Sequence, residues 1–315
     1  MPNKINFNIG KANDKWLNFN TRKLIGLSKQ PCLKKEDSIF TMGSCFAEEI
    51  RIALFKKGFN LYPKYDRMSF DKNRVKIDEL PERPHLNFYN TFTVLQELRR
   101  SFGELIFKHD DFFVIKDRFW KTEDQIYQDP YKRLSFGKTI EELRMALHNV
   151  NLEIDNGIKN SNVFVFTFGM TEVFKNKKNG LIVSQKPLYG GYGNLNDTTL
   201  HQSTFEENIT NVQTIVDLIQ SKKRGEAKIF LSVSPVPLNR TFSGDDVYIA
   251  NLESKSLLRA ALSEVARKNK NTFYFPSYDY ITAFGRDAFE ADGRHVKRPA
   301  VELIMEIFTH CYLSD

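Results

Sequence analysis

Short apolar runs alternate with amphipathic helical patterns along most of this chain. The runs lie at residues 38–42, 163–169, 228–235 and 272–275. The second run, VFVFTFG, is apolar at nearly every position, which is typical of a strand that is buried on both faces of a sheet. Parallel strands joined by crossover helices produce this alternation. The pattern therefore predicts an α/β fold, a three-layer α/β/α sandwich with a mainly parallel sheet.

The segments between these runs carry helix signals. After the first run, Phe46, Ile50 and Leu54 share one helical face, and Gly58 marks the end. A long amphipathic stretch follows Thr204 and ends at residues 222–225, KKRG. Basic residues are favourable there because the carboxyl end of a helix carries a partial negative charge, and the glycine is a common C-terminal cap. Further helices are predicted around Leu143, Leu147 and Val150, around Leu258, Leu262 and Val265, and around Ile304, Ile307 and Phe308.

Two segments break this alternation and lean towards β-structure. Residues 105–136 are aromatic and charged, and residues 174–200 contain Asn179-Gly180, a hairpin signal between apolar flanks. We interpret both as β-rich insertions that shape the rim of a site. The predicted organisation is an N-terminal extension over 1–37 and a single domain over 38–315.

Charge and cysteine content exclude several classes of protein. The net charge is +7, but the basic residues come in short pieces interleaved with acids, so we expect no nucleic-acid partner. The chain has 3 cysteines, which argues against a disulfide framework and a four-cysteine zinc site. No apolar run approaches the about 18 residues of a membrane span, and no metal-binding or dinucleotide-binding motif is present. We expect a cytoplasmic protein without a metal or cofactor.

Ser44 follows the first predicted strand and precedes a predicted helix. In parallel α/β sheets, ligands bind beyond the carboxyl ends of the strands. A serine at this point lies at a helix N-terminus, whose unpaired N–H groups and dipole stabilise an oxyanion. Serine is also an ordinary helix N-cap residue. Position alone therefore leaves both a nucleophile and a cap open.

Asp292 and His295 lie three residues apart, before the last predicted helix. A nucleophilic serine needs a base that accepts its proton, and the base needs a partner that fixes its tautomer. One loop with both residues can supply the base and its partner, although Asp292-Gly293 is also a common surface turn.

Six sequence blocks connect these residues to a known family. Residues 41–47, TMGSCFA, contain the motif that names the GSCFA family, which resembles the SGNH (GDSL-like) hydrolase superfamily. The chain also resembles the family, in the same order, at 89–90, 167–172, 232–237, 254–259 and 274–278. The resemblance implies an SGNH-like fold with Ser44 as nucleophile and an Asp292/His295 pair.

The resemblance also suggests where an oxyanion would bind. Gly169-Met170-Thr171-Glu172 resembles the Gly-x-Asn-Asp block of SGNH enzymes, with Thr171 at the asparagine position. A hydroxyl donates one hydrogen bond but is shorter than an amide. The oxyanion site is therefore expected to involve Gly169 and Thr171, with Asn90 or the backbone amides of Ser44 and Gly169 as substitutes.

Two further residues remain ambiguous from the sequence. Cys45 lies beside the nucleophile at the helix N-terminus, where a thiol pKa falls, but free cysteines are usually buried and we expect packing. His201 lies in a polar stretch before a helix, which we interpret as a loop. It is either a substrate-binding residue in the cleft or a surface or capping histidine.

The expected activity is acyl-ester chemistry at Ser44. Hydrolysis of an O-acyl group, foremost an acetyl group of a carbohydrate, and its transfer to or from a sugar hydroxyl share one acyl-enzyme step. The expected partner is thus a small-molecule or glycan acyl substrate, with acyl-CoA as co-substrate for a transferase. The alternative is a non-catalytic glycan-binding module that retains the cleft. The sequence does not indicate an oligomeric state.

Overall fold

Parallel β-strands form the centre of the fold. The computed structural model describes residues 30–64, 86–116, 125–133, 135–184 and 197–314. In this part of the chain the central sheet has the order β2-β1-β6-β10-β11, and all its paired neighbours are parallel. Its strands are β1 (Ser38–Gly43), β2 (Asn60–Tyr62), β6 (Val163–Phe168), β10 (Lys228–Val233) and β11 (Thr272–Tyr274). Four of the five strands were predicted from the sequence.

Helices cover both faces of this sheet. On one face, α1 (Cys45–Lys56), α6 (Ser277–Phe284) and α7 (Arg298–Tyr312) pack in a common core. On the other face, the core contains α2 (Thr91–Ser101), α3 (Ile140–Asn160), α4 (Phe205–Lys222) and α5 (Val247–Lys268). The predicted three-layer α/β/α sandwich is confirmed.

Two small antiparallel sheets make up the described parts of the predicted insertions. One contains β3 (Phe113–Lys116), β4 (Gln125–Gln128) and β5 (Phe136–Gly137), and the other contains β7 (Glu172–Asn176), β8 (Ile182–Val183) and β9 (Thr198–Gln202). The hairpin at Asn179-Gly180 is confirmed, since β7 and β8 pair in antiparallel register and Gly180 has φ +73°. Residues 117–124, 134 and 185–196 of these segments lie outside the described residues.

Sequence patterns missed β2, α2 and α6. β2 has three residues and α6 has eight, which is too short for a clear periodicity. Of the predicted extension 1–37, residues 1–29 lie outside the described residues, and Leu33 is fully buried beside Leu313 at the end of α7. None of the described helices is both long enough and apolar enough to cross a bilayer.

The strand order places a crevice between β1 and β6. The chain passes from β1 to β2 on one side, then returns to β6 on the other side of β1. In open parallel sheets, ligands bind at the carboxyl ends of strands where the order reverses in this way. Ser44 follows β1 and Gly169 follows β6, so both residues lie at this point.

Candidate active site

Glycine is required at the end of β1. Gly43 pairs with Thr167 of β6 and has φ +147°. A Cβ at Gly43 would lie 2.2 Å from the carbonyl oxygen and 2.5 Å from the hydroxyl of Thr167. Only glycine allows this close approach of the two strands, which brings Ser44 next to Thr167.

Ser44 caps α1 and is held from two directions. Its Oγ accepts a hydrogen bond from the Phe46 backbone N–H at 3.2 Å and lies 3.0 Å from Thr167 Oγ1. Its own backbone N–H donates to the Thr167 carbonyl at 3.1 Å and to Thr167 Oγ1 at 3.0 Å. The side chain is therefore both a helix cap and a buried hydroxyl at the positive end of a helix dipole.

The loop before α7 joins Asp292 to His295. Asp292 Oδ1 accepts from the backbone N–H groups of Arg294 at 2.9 Å and His295 at 3.0 Å, and Oδ2 lies 2.5 Å from His295 Nδ1. Gly293 has φ +67°, so glycine suits this turn. The two backbone donors and the imidazole hold the pKa of the Asp292 carboxyl well below its usual range. The carboxylate is thus ionised and fixes the ring through Nδ1.

Ser44 and His295 line the same cleft, which has a volume of about 350 Å³. Asp292 bonds Nδ1 of the ring, and Nε2 makes no hydrogen bond to any described residue. Among the described residues, no hydrogen bond joins Ser44 Oγ to His295, because the serine hydroxyl is turned towards Thr167 and the helix end. Such bonds are often long or absent without substrate. The structure brings the three predicted residues together without closing a triad.

Two backbone amides that were considered for the oxyanion site already have partners. The Ser44 N–H donates to Thr167, and the Gly169 N–H donates to the Tyr89 carbonyl at 2.8 Å. Both bonds connect neighbouring elements of the fold. An oxyanion would therefore need other donors, or one of these bonds would have to open.

Thr171 and Asn90 have different surroundings. The Thr171 hydroxyl lies 2.7 Å from Ser254 Oγ, and Thr171 is not among the described residues that line the cleft. Asn90 does line it and caps α2, since its Oδ1 accepts from Thr93 N at 2.9 Å. The cap occupies the amide oxygen, so the NH₂ group is the part of Asn90 that can donate into the cleft.

His201 and Cys45 differ from expectation. The predicted loop at His201 is wrong, because the residue belongs to β9, where it pairs with Val173. Its Nε2 lies 2.8 Å from Glu207, and it is not among the described residues that line the cleft. Cys45 was expected to be buried, but it is partly exposed and lines the cleft beside Ser44.

A buried lysine beneath the cleft was missed from the sequence. Lys255 of α5 is fully buried, and its Nζ donates to the carbonyls of Gly169 at 2.8 Å and Val236 at 2.9 Å. Burial lowers the pKa of Lys255 to about 7. A Cβ added at Gly169 would lie 3.8 Å from both Lys255 Nζ and Ser44 Cβ. One feature of the sequence could have revealed this lysine. It lies on the apolar face of α5, in line with Leu258, Leu262 and Val265.

The rest of the cleft wall combines apolar side chains with charged ones. Within the described chain, Arg133, Arg240 and Arg294 line the cleft, together with Glu172. Both oxygens of Glu172 accept hydrogen bonds, from Thr241 Oγ1 and from the Phe242 N–H. In the described residues, no three His, Cys, Asp or Glu side chains are grouped as they would be around a metal ion.

Solved structures with similar folds include three with esterase, lipase or related descriptions. A family 3 carbohydrate esterase from Clostridium thermocellum is 10% identical, with a TM-score of 0.35 over 88% of this chain and 95% of that chain. A structure described as a GDSL-like lipase from Parabacteroides merdae is 16% identical, with a TM-score of 0.37 over 89% and 97%. A third, described as a platelet activating factor from Streptococcus pneumonia, is 12% identical, with a TM-score of 0.41 over 88% and 83%.

At the sequence level, no curated protein matches this chain. The sequence model of the GSCFA family matches residues 38–308, which include the strand end at Ser44 and the loop at Asp292 and His295. The chain therefore belongs to the GSCFA family.

Proposed function

We propose that this protein is a serine-dependent acyl-ester hydrolase or O-acyltransferase that acts on acyl groups, foremost acetyl, of a carbohydrate. One observation carries the proposal. Ser44 and His295 come from opposite ends of the domain and line one cleft, and Asp292 holds the ring of His295 through Nδ1. A surface turn or a helix cap alone would not require this convergence.

The reaction begins when the Ser44 hydroxyl rotates from Thr167 towards His295. His295 Nε2 takes the proton, and Ser44 Oγ forms a bond to the acyl carbon. Asp292 stabilises the resulting imidazolium. The Asn90 NH₂ group and the N-terminus of α1 are the groups that stabilise the oxyanion. The carbon–oxygen bond to the leaving alcohol then breaks, and His295 returns the proton to that oxygen.

Hydrolysis and transfer diverge after this acyl-enzyme step. Water as the second nucleophile releases an acid, whereas a sugar hydroxyl accepts the acyl group. In the transferase case acyl-CoA is the donor, so the first step breaks a carbon–sulfur bond instead, and the proton from Ser44 leaves with the CoA thiol. His295 would activate either second nucleophile in the same way.

A glycan-binding module is the second candidate. The observation that favours it is the pairing of the Ser44 and Gly169 backbone amides with Thr167 and Tyr89, which leaves fewer donors for an oxyanion. Such a protein would retain the cleft and bind an acylated sugar without turning it over.

Labelling with a fluorophosphonate probe, followed by peptide mapping, separates the two candidates. An activated serine gives an adduct on Ser44. Ser44→Ala abolishes the labelling and reduces the turnover of an activated acetyl ester by up to about 10⁶-fold. Cys45→Ala is the matched control at the neighbouring position and keeps most of the activity. Absence of an adduct on Ser44 across pH 6 to 9 would contradict the enzyme and support the binding module. Loss of activity in Cys45→Ala alone would identify a cysteine nucleophile instead.

A further inference from the structure

Two arginines of the cleft contain buried N–H groups that have no partner among the described residues. Arg133 and Arg294 both line the cleft, and the Nε atom of each is buried and makes no hydrogen bond within the described part of the chain. Buried polar groups in folded proteins are nearly always hydrogen-bonded, and an unpaired donor on a charged group is costly. The hydrogen bonds that these guanidinium groups make in the described chain go to a hydroxyl and a carbonyl, so no described carboxylate neutralises either charge and both are left to a bound anion.

Arg133 is held in place by a buried ion pair. Lys132, the preceding residue, is 1% exposed and binds the carboxylate of Glu97 on α2, which is 2% exposed. The Arg133 guanidinium donates through Nη1 to the hydroxyl of Tyr89, the neighbour of Asn90. This anchoring directs Arg133 towards the wall of the cleft that contains Asn90.

Arg294 reaches the cleft from a different wall. It belongs to the turn that joins Asp292 to His295, and its Nη2 donates to the Pro237 carbonyl at 3.3 Å. This contact connects the guanidinium to the segment after β10, while the backbone of Arg294 adjoins the proposed base, His295. An anion bound there would lie close to the acyl group that Ser44 attacks.

The charge of the cleft also favours an anion. Arg240 adds a further cation to the wall, and Glu172 is the one described carboxylate residue that lines it. Glu172 accepts hydrogen bonds from Thr241 and Phe242, so its carboxylate is oriented towards residues 241–242. The field in the cleft is therefore positive.

We propose that the acylated substrate contains an anionic group, a carboxylate, sulfate or phosphate, which Arg133 and Arg294 bind. Planar guanidinium groups match such oxyanions through paired N–H donors. The acyl group of this substrate rests on the proposed function. Binding of the anion by the two arginines does not depend on it. The anion is either part of the sugar, as in a uronic acid, or the phosphates of an acyl-CoA donor.

Calorimetric titration of the Ser44→Ala protein tests the proposal without requiring turnover. The ligands are a 2-O-acetyl methyl glucuronoside, the matched uncharged 2-O-acetyl methyl glucoside, and acetyl-CoA. We expect at least one anionic ligand to bind 10- to 100-fold more tightly than the glucoside, as for hydrogen bonds to charged groups. Binding of the glucuronoside places the anion on the sugar, and binding of acetyl-CoA alone places it on the donor.

Arginine variants then locate the binding groups. Arg133→Gln and Arg294→Gln, each added to Ser44→Ala, should lose most of the preference. Arg133→Lys should lose part of it, because lysine retains the charge without the planar set of N–H donors. Arg144→Gln, an exposed arginine on α3, removes the same charge away from the cleft and should change nothing. Equal affinity for all three ligands, or an equal loss in Arg144→Gln, would overturn the proposal.

The proposed enzyme activity and the proposed anion site can be contradicted independently. Labelling of Ser44 without any preference for anions would retain the enzyme and exclude the anion site. A preference for anions that depends on Arg133 and Arg294, without labelling of Ser44, would retain the site and exclude the enzyme.

Discussion

Thr167 Oγ1 lies 3.0 Å from the backbone nitrogen of Ser44 and 3.0 Å from its hydroxyl. This double contact exists because Gly43 pairs with Thr167 in the parallel register of β1 and β6. The neighbouring strand thus fixes both the main chain and the side chain of the proposed nucleophile. Thr167 is fully buried, so water cannot replace its hydroxyl easily.

Thr167→Val should speed the labelling of Ser44 by a fluorophosphonate about five- to tenfold, because the serine hydroxyl no longer has to leave Thr167 before it turns towards His295. The substitution retains the shape of the side chain and removes one hydrogen bond, which contributes on the order of 1 kcal/mol. The labelling rate of the folded variant is the measurement.

Thr167→Ser is the matched control, since it keeps the hydroxyl and should label at nearly the wild-type rate. Slower labelling of Thr167→Val would contradict the prediction. It would mean that Thr167 holds Ser44 in the orientation from which it attacks.

Asp292→Asn should reduce the plateau activity on an activated acetyl ester by roughly 10⁴-fold. An amide at this position cannot stabilise the imidazolium and favours the wrong ring tautomer, as in serine-protease triads. Because the carboxyl pKa is held well below its usual range, Asp292 stays ionised in the assay range and adds no ionisation of its own. Wild-type kcat/KM should therefore rise with pH towards a plateau, because a general base must be neutral to accept a proton.

A pH–rate series from about 5 to 9 provides the measurement. A flat profile, together with near wild-type activity of Asp292→Asn, would show that the loop is only a turn. Asn90→Ala is informative in the same assay, since it should lower kcat if the amide stabilises the oxyanion.

The central sheet could be predicted because its strands and helices obey simple periodicities. The run VFVFTFG and the amphipathic helix after Thr204 are examples, and the structure confirms both. The structure adds a capping box between Thr204 and Glu207. β2 and α6 could not be predicted, because their few residues show no clear pattern. Tertiary packing against longer elements determines such short segments.

The site could be predicted less completely than the fold. Ser44, Asp292 and His295 are of residue types with obvious chemistry, and the structure places them on one cleft or next to it. Thr171 is the contrasting case, because its alignment with a family block did not reveal that its hydroxyl would bond Ser254. Arg133 reaches the cleft only through tertiary contacts with α2, which no local pattern contains.

Glu97→Gln should destabilise the protein by about 3 to 5 kcal/mol. Glu97 binds both Lys132 and Arg100, and the charges of these partners hold its pKa near 2 although burial opposes ionisation. Removing the carboxylate takes the hydrogen-bonded ionic partner away from the buried Lys132 ammonium, which is the costly way to break a buried pair. Urea denaturation at pH 7 measures the change.

The double variant Glu97→Gln/Lys132→Met is the control for this pair. It removes both charges and should recover a large part of the lost free energy of unfolding. If the double variant is as unstable as the sum of the single changes, the two residues do not act as a pair.

Stability should rise with pH above 7 because of Lys255. Burial lowers the pKa of this lysine to about 7, whereas an unfolded chain would bind its proton up to a pH of about 10. Between these values the unfolded state binds more protons than the folded state, so the free energy of unfolding increases with pH, by at most about 1.4 kcal/mol per pH unit. The neutral amine retains two N–H groups, enough for the carbonyls of Gly169 and Val236.

The comparison of wild type with Lys255→Met isolates this effect. Lys132, whose pKa burial lowers to about 8, contributes the same slope to both proteins and cancels in the difference. Urea denaturation at pH 7, 8 and 9 should show that the advantage of wild type over the variant grows with each step. Parallel stability curves would show that Lys255 keeps its proton throughout, and that a permanent ammonium group lies beneath Gly169 and the proposed nucleophile.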